Sequence, residues 1–313
     1  MLVALAGGVG AARLLSGLVQ VVDPASITAV VNTGDDTVLH GLHISPDIDT
    51  VTYTLAGLDN RETGWGIAGE TWTVMGALAE LGGETWFSLG DRDLATHCYR
   101  TQRLSEGATL AQVTAELAVA RGVTTRLLPM TDDPVHTRLT PAGGRGEVVP
   151  EIDFQDYFVR RHHDVAVSAI RFAGATDSTP APGVLDAIAE ADMVIGCPSN
   201  PLVSIAPILA VPGIAAAVAA RRDDVVAVSP IVAGSALKGP ADRLLVELGH
   251  ESSVVGVARL YAPWAGTLVI DESDAELAGK VEAEGLTCVV APTIMATPAL
   301  AAGLAETVLI ARG

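Results

Sequence analysis

An apolar run, Leu2 to Ala6, ends in Gly7-Gly8-Val9-Gly10 and passes straight into a pattern with Leu14, Leu15 and Leu18 on one helical face. Strand, glycine turn and helix in immediate succession open a Rossmann-like unit, with the turn at the carboxyl end of the strand. The alternation continues later in the chain. Strand patterns at Ile27–Val31, Met193–Gly196, Val225–Ser229, Thr267–Ile270 and Cys288–Val290 alternate with helical patterns at Val184–Ala191, Pro212–Arg221, Ala241–Leu248, Asp274–Glu284 and Pro298–Ile310. Repeated βα units predict an α/β fold, a Rossmann-like, mostly parallel sheet with helices on both faces.

The middle of the chain breaks this rhythm. Thr37 to about Asn60 reads as loop, and helical patterns follow at Thr71–Leu81, Arg92–Leu104 and Leu110–Ala120. A short strand is expected at Thr85–Leu89, and β patterns run from Val123 to Ile152 around the hairpin-type turn Pro141–Gly146, with another strand at Val165–Phe172. The 313 residues therefore divide into a nucleotide-binding core, 1–60 and 165–313, and a mixed, largely helical insertion, 61–164, capping the active-site edge.

Composition narrows the function classes. There are 37 acidic residues against 19 basic ones, a net charge of −18, which disfavours a broad basic face for nucleic acid. A phosphate ligand must then be held locally, by amides, a few cations or a metal. Three cysteines with no paired C-x-x-C exclude a disulfide framework, make a structural zinc site improbable on spacing, and fit a reducing, cytoplasmic setting. The most apolar stretch, Ile205–Ala220, is interrupted by Pro207, Pro212 and Gly213, so no membrane span is expected. The opening run reads as a strand and not as a signal peptide.

Four places can carry chemistry. Gly7, Gly8 and Gly10 let a backbone approach an anion, and Arg13 lies one turn into the helix; the plain alternative is a tight turn with a solvated arginine. Arg13 stands where the dinucleotide fingerprint has a small third residue, and no Gly-Lys-Ser/Thr follows, so neither that fingerprint nor a Walker A loop is present. Asp35, Asp36, Asp47 and Asp49 crowd around a strand end. Asp47-Ile48-Asp49 reads as two carboxylates on one side of an extended segment, able to hold Mg²⁺ or simply solvated. Ser199 and Asn200, in Cys197–Pro201, offer compact polar groups after a strand, and Lys238 stands just before a helix expected to begin at Pro240. In the insertion, Trp65 sits between glycines, and Arg92 lies between Asp91 and Asp93, which are candidate helix caps. His40 and His43 lack the spacing of a zinc protease motif, and no Gly-x-Ser-x-Gly elbow supports a hydrolase triad.

Taken together, Leu5–Arg13, Val31–Asp36, Ser45–Thr50, Leu89–His97, Pro198–Pro201 and Ser229–Ile231 resemble the CofD/FbiA family, the 2-phospho-L-lactate transferases of coenzyme F-420 biosynthesis. The resemblance implies a Mg²⁺-dependent transfer of a phospholactyl or phosphoenolpyruvyl group from a guanosine-diphosphate conjugate to the terminal hydroxyl of the deazaflavin Fo, with GMP leaving. It implies a homodimer whose partners are small-molecule substrates. Carried onto this sequence, Asp36 and Asp49 are catalytic and Asp36, Asp47 and Asp49 hold the metal. Asp49, Arg92, Trp65 and His97 face Fo, while Gly7, Gly8, Gly10, Arg13, Ser199, Asn200 and Lys238 face the nucleotide and its phosphates. A competing reading is a YvcK-like regulator that binds a nucleotide sugar without turnover. A nicotinamide-dependent dehydrogenase is disfavoured by Arg13.

Overall fold

The structure is a computed structural model describing residues 1–143 and 149–311. Seven parallel strands form one sheet: β1 (Leu2–Ala6), β2 (Ile27–Val31), β3 (Arg126–Pro129), β4 (Met193–Gly196), β5 (Val225–Val228), β6 (Thr267–Ile270) and β7 (Thr287–Val290). Their order across the sheet is β7-β6-β5-β4-β1-β2-β3. This is the doubly wound arrangement expected from the alternating pattern, and its strand order reverses between β1 and β4. Successive residues of β1 feed opposite faces. Val3 and Leu5 join one buried cluster, with Val30 and Val194. Ala4 and Ala6 join the other, with Ala29 and Ile195. A strand buried on both faces has no polar side to alternate with, which is why these segments read as unbroken apolar runs.

Helix α1 (Gly8–Val21) packs against the helix Pro298–Ile310. The approach is close enough at Gly17 that a Cβ there would overlap the backbone of Ala301. α1 begins at Gly8, inside the glycine turn, so Gly8 and Gly10 belong to its first turn.

Several elements differ from the sequence reading. Thr37–Asn60 is not loop: it forms a hairpin, Thr37–Leu39 with Leu42–Ile44, and then helix α2 (Pro46–Leu55), with Pro46 at its first position. Helices α3 (Thr73–Glu80), α4 (Asp91–Ser105) and α5 (Leu110–Ala120) follow, and Thr85–Leu89 is not a strand. The α5 start is fixed by a capping box between Thr109 and Gln112. The span 61–164 also supplies β3, the sheet edge beside β2. A separate antiparallel sheet joins His136–Pro141 to Ile152–Asp153 and Val167–Ala173. The hairpin turn expected at Pro141–Gly146 falls partly on residues 144–148, outside the described residues. A helix at Val254–Tyr261, capped by Ser253, carried no assignment in the sequence reading.

Candidate functional site

Open α/β sheets bind ligands in the crevice beyond the carboxyl ends of the strands, where the order reverses. Here that crevice lies between the loops after β1 and β4. Gly7 follows β1, and its N–H donates to Ser199 Oγ at 3.3 Å, tying the two loops together. A Cβ on Gly7 would lie 2.7 Å from Ser204 Cβ and 2.8 Å from Asp47 Oδ2, and one on Gly10 would overlap the Pro198 carbonyl oxygen. Gly8 adopts φ +67°, and its N–H bonds the Asp47 carboxylate. The glycines are thus required by close approach of neighbouring loops. The amides of Gly7 and Gly8 already have protein partners, so an anion would meet the positive end of α1 instead.

Asp47 and Asp49 lie in the first turn of α2, not on an extended segment. Two residues apart on a helix point to different sides, and the two carboxylates do diverge. Asp47 turns to the glycine turn, where Asn32 Nδ2 donates to its Oδ2 at 2.9 Å. Asn32 also accepts from Gly34 N–H at 2.8 Å. The sequence reading passed over this residue, which closes β2 and orients Asp47. Asp49 turns the other way and meets Arg100 of α4. The guanidinium donates to both carboxylate oxygens, through Nη2 to Oδ1 and through Nη1 to Oδ2 at 3.1 Å.

Asp35 and Asp36 complete the cluster. Ser45 Oγ donates to Asp36 Oδ2 at 2.6 Å, and Gln155 Nε2 donates to the Asp35 carbonyl at 3.0 Å. The Oδ1 atoms of both aspartates are buried and have no hydrogen-bond partner among the described residues. Burial pushes Asp35 well above the usual carboxylate range, and neighbouring Asp47 and Asp36 add to it against an Asn32 hydrogen bond. Asp36 is raised well above that range by burial and by Asp49 and Asp47, against Ser45 and Arg100. Asp47 is pushed up to about 6 by burial, against its bonds from Asn32 and Gly8. Desolvated carboxylates with unused oxygens, as on Asp35 and Asp36, are ligand types that suit a divalent cation. The group whose ligand atoms converge, all within 4.8 Å of one another, is instead Asp49, Asp93 and His97.

Of the remaining expected residues, Arg13 and Trp65 line a neighbouring cleft of about 160 Å³. Thr50, Tyr53 and Arg61 line it too. Trp65 is 45% exposed and meets Trp72 edge-on at 6.2 Å. The Lys238 ammonium packs against Gly64 of the same loop and lies close enough to Arg13 that the two like charges, after burial, lower its pKa. Neither cation pairs with a carboxylate among the described residues. Arg92 is exposed, and its Nη1 donates to the Ala68 carbonyl at 2.7 Å. Asp91 and Asp93 do not cap their own helix. Glu70 caps α4 by accepting from Arg92 and Asp93 N–H, while Asp91 accepts from Thr73 and Val74 N–H at the start of α3. Asn200 uses its Oδ1 on Leu202 N–H, as a local cap. His97 is buried in α4, 1% exposed.

Arg100 is the residue the sequence reading missed. Its signal was present: Asp93, His97 and Arg100 fall at i, i+4 and i+7, a polar stripe on one face of α4, and all three prove buried.

Fold and site together define a doubly wound α/β protein with an acid cluster at the switch point of its sheet. The chain belongs to the CofD family: the family described as 2-phospho-L-lactate transferase CofD matches residues 2–293. It is 47% identical to a phosphoenolpyruvate transferase of Kitasatospora aureofaciens, covering 98% of this chain and 96% of that one. It is 45% identical to the enzyme of the same name from Streptomyces griseus, covering 98% and 97%, and 40% identical to that of Mycobacterium sp. strain JLS, covering 95% and 94%. A solved structure of a UPF0052 family protein from Bacillus halodurans superposes with a TM-score of 0.60 at 17% identity, over 98% of each chain, and shares the fold. No helix among the described residues is long and apolar enough to cross a membrane.

Proposed function

We propose that this chain transfers a phosphoenolpyruvyl group from an enolpyruvyl diphosphoguanosine donor to the terminal hydroxyl of the deazaflavin Fo, giving dehydro-F-420-0 and GMP. The acceptor hydroxyl gives up its proton to solvent as its oxygen attacks the phosphorus bearing the enolpyruvyl group. The bond from that phosphorus to the bridging oxygen breaks, and GMP leaves with the electron pair. The relatives named phosphoenolpyruvate transferase, 40–47% identical over nearly the whole chain, favour enolpyruvate over lactate.

The observation that carries this reading is the acid cluster at the glycine turn, with its two orphaned carboxylate oxygens. Mg²⁺ bound there by Asp35, Asp36 and Asp47 would neutralise charge on the diphosphate. The protein's own part is positioning, as phosphoryl transfer asks. Arg13 and Lys238 receive the donor's phosphates from the cleft side, Trp65 offers a face to the planar acceptor, and Asp49 and Arg92 hold the acceptor side. Ser199 keeps the two crevice loops in register through Gly7.

The test is product analysis by mass spectrometry, with Fo, Mg²⁺ and either the enolpyruvyl or the lactyl conjugate. The expected result is dehydro-F-420-0 and GMP from the enolpyruvyl donor, abolished by chelation. Equal or faster turnover of the lactyl conjugate would overturn the donor assignment. No transfer from either, with stabilisation by UDP-N-acetylglucosamine instead, would overturn the enzyme reading.

A further inference from the structure

The buried cation next to the acid cluster has no role in the reaction as drawn above. Arg100 is 1% exposed; its guanidinium meets Asp49, the His43 carbonyl at 3.3 Å and His97 Nδ1 at 3.2 Å, while its Nε is buried with no hydrogen-bond partner among the described residues. A buried ion pair is weak evidence for stability, because apolar residues of like volume commonly do as well. Its position is more telling. Asp49 and Asp36 both lie close enough for their fields to act on Arg100, and Asp36 is in turn within the field of Asp47. The pair therefore abuts the carboxylates that crowd the glycine turn.

The same contacts bear on His97. Arg100 Nη1 lies 3.2 Å from Nδ1, which also stands 3.6 Å from Asp49 Oδ2, and Nε2 faces Asp93 Oδ2 at 3.4 Å. Asp93 in turn accepts from Tyr53 Oη at 2.6 Å. Arg100 thus occupies the Nδ1 side of the imidazole. Asp49, Asp93 and His97 are then a buttress running from the acid cluster to Tyr53 in the cleft wall, although their ligand atoms lie close enough to suggest a metal.

We infer that Arg100 is an internal counter-ion at the edge of the acid cluster: it cancels the charge of Asp49 and orients that carboxylate. It is a positioning residue acting through Asp49. The inference rests on the proposed reaction only for its catalytic consequence.

The experiment compares wild type, Arg100→Met, Asp49→Asn and the double variant. The first readout is the melting temperature with and without Mg²⁺, which needs no turnover. Arg100→Met is expected to melt lower by about 5 °C or more without Mg²⁺ and to gain more from Mg²⁺ than wild type, because one more charge is uncompensated. The double variant is expected to recover most of the loss and a wild-type Mg²⁺ increment. The second readout is transfer. Arg100→Met, and also Arg100→Lys, which keeps the charge without the fork, are expected to lower kcat by about 10²-fold with little change in the donor KM. Arg100→Met added to Asp49→Asn should cost little more than Asp49→Asn alone. An unchanged Mg²⁺ increment, or additive losses in the double variant, overturns the inference. Should Arg100→Met fail to fold, Arg100→Lys and the double variant carry the same comparison. Wild type that responds to Mg²⁺ as described but transfers nothing would overturn the reaction and leave the counter-ion role standing.

Discussion

Raising the pH without divalent cations should weaken the fold, and Asp47 shows by how much. Its carboxyl titrates at an ordinary 3.8 when unfolded and at about 6 when folded, because burial opposes its charge. Between those two values the native state holds a proton that the unfolded chain has released. Stability is therefore highest below about pH 3.8 as far as this group is concerned, and falls as pH rises toward 6. A shift of one unit corresponds to about 1.4 kcal/mol, so Asp47 alone costs about 3 kcal/mol once fully ionised. About half of that accumulates between pH 5 and 8. Asp35 and Asp36, raised for the same reason, act in the same direction. At roughly 2 °C per kcal/mol for a chain of this size, the Asp47 part is about 3 °C in melting temperature. The assay is thermal denaturation from pH 5 to pH 8 in chelator and in millimolar Mg²⁺, on wild type and Asp47→Asn. Wild type should lose stability with pH in chelator and recover it in Mg²⁺. Asp47→Asn should have a flatter profile and a smaller response to Mg²⁺. A wild-type profile that rises from pH 5 to 8 in chelator, or that Mg²⁺ leaves unchanged, would refute the crowded-carboxylate account.

Two other outcomes follow from the geometry. Gly10→Ala drives a methyl into the Pro198 carbonyl, which belongs to rigid backbone, so urea denaturation should show a loss of about 1–3 kcal/mol together with lost transfer. Gly303→Ala, with open space around its Cβ, should gain up to about 1 kcal/mol as a control. Arg13→Met and Lys238→Met should each raise the donor KM by roughly 10- to 100-fold, the size of a charge-assisted hydrogen bond, while leaving the acceptor KM near normal in steady-state kinetics.

Part of the site was legible in the sequence because its parts are local. The glycine turn had to follow a buried strand and precede a helix, and Gly7, Gly8 and Gly10 do stand there. Asp35 and Asp36 were marked by ending a strand. The loop reading of Thr37–Asn60 failed because an acid-rich helix start resembles a solvated loop. Pro46 with Asp47 and Asp49 in the first turn is a helix beginning, and its apolar face is short. Arg92 and the neighbouring aspartates were read as self-capping, whereas Glu70, a residue from another segment, supplies the cap. No local rule identifies a partner 22 residues away.

The sequence by itself determined the sheet and its crevice. Apolar runs of four or five residues, punctuated by glycine and followed by helical patterns, leave few arrangements other than parallel strands covered on both faces. Tertiary structure alone decided what the acids do. Asp47 and Asp49 differ by two positions in one helix, yet one meets the amide of Gly8 and the side chain of Asn32, and the other meets Arg100, 51 residues on. Local propensity sets which residues share a face. The charge a carboxylate carries, and the partner it keeps, depend on burial and on groups brought together from distant parts of the chain.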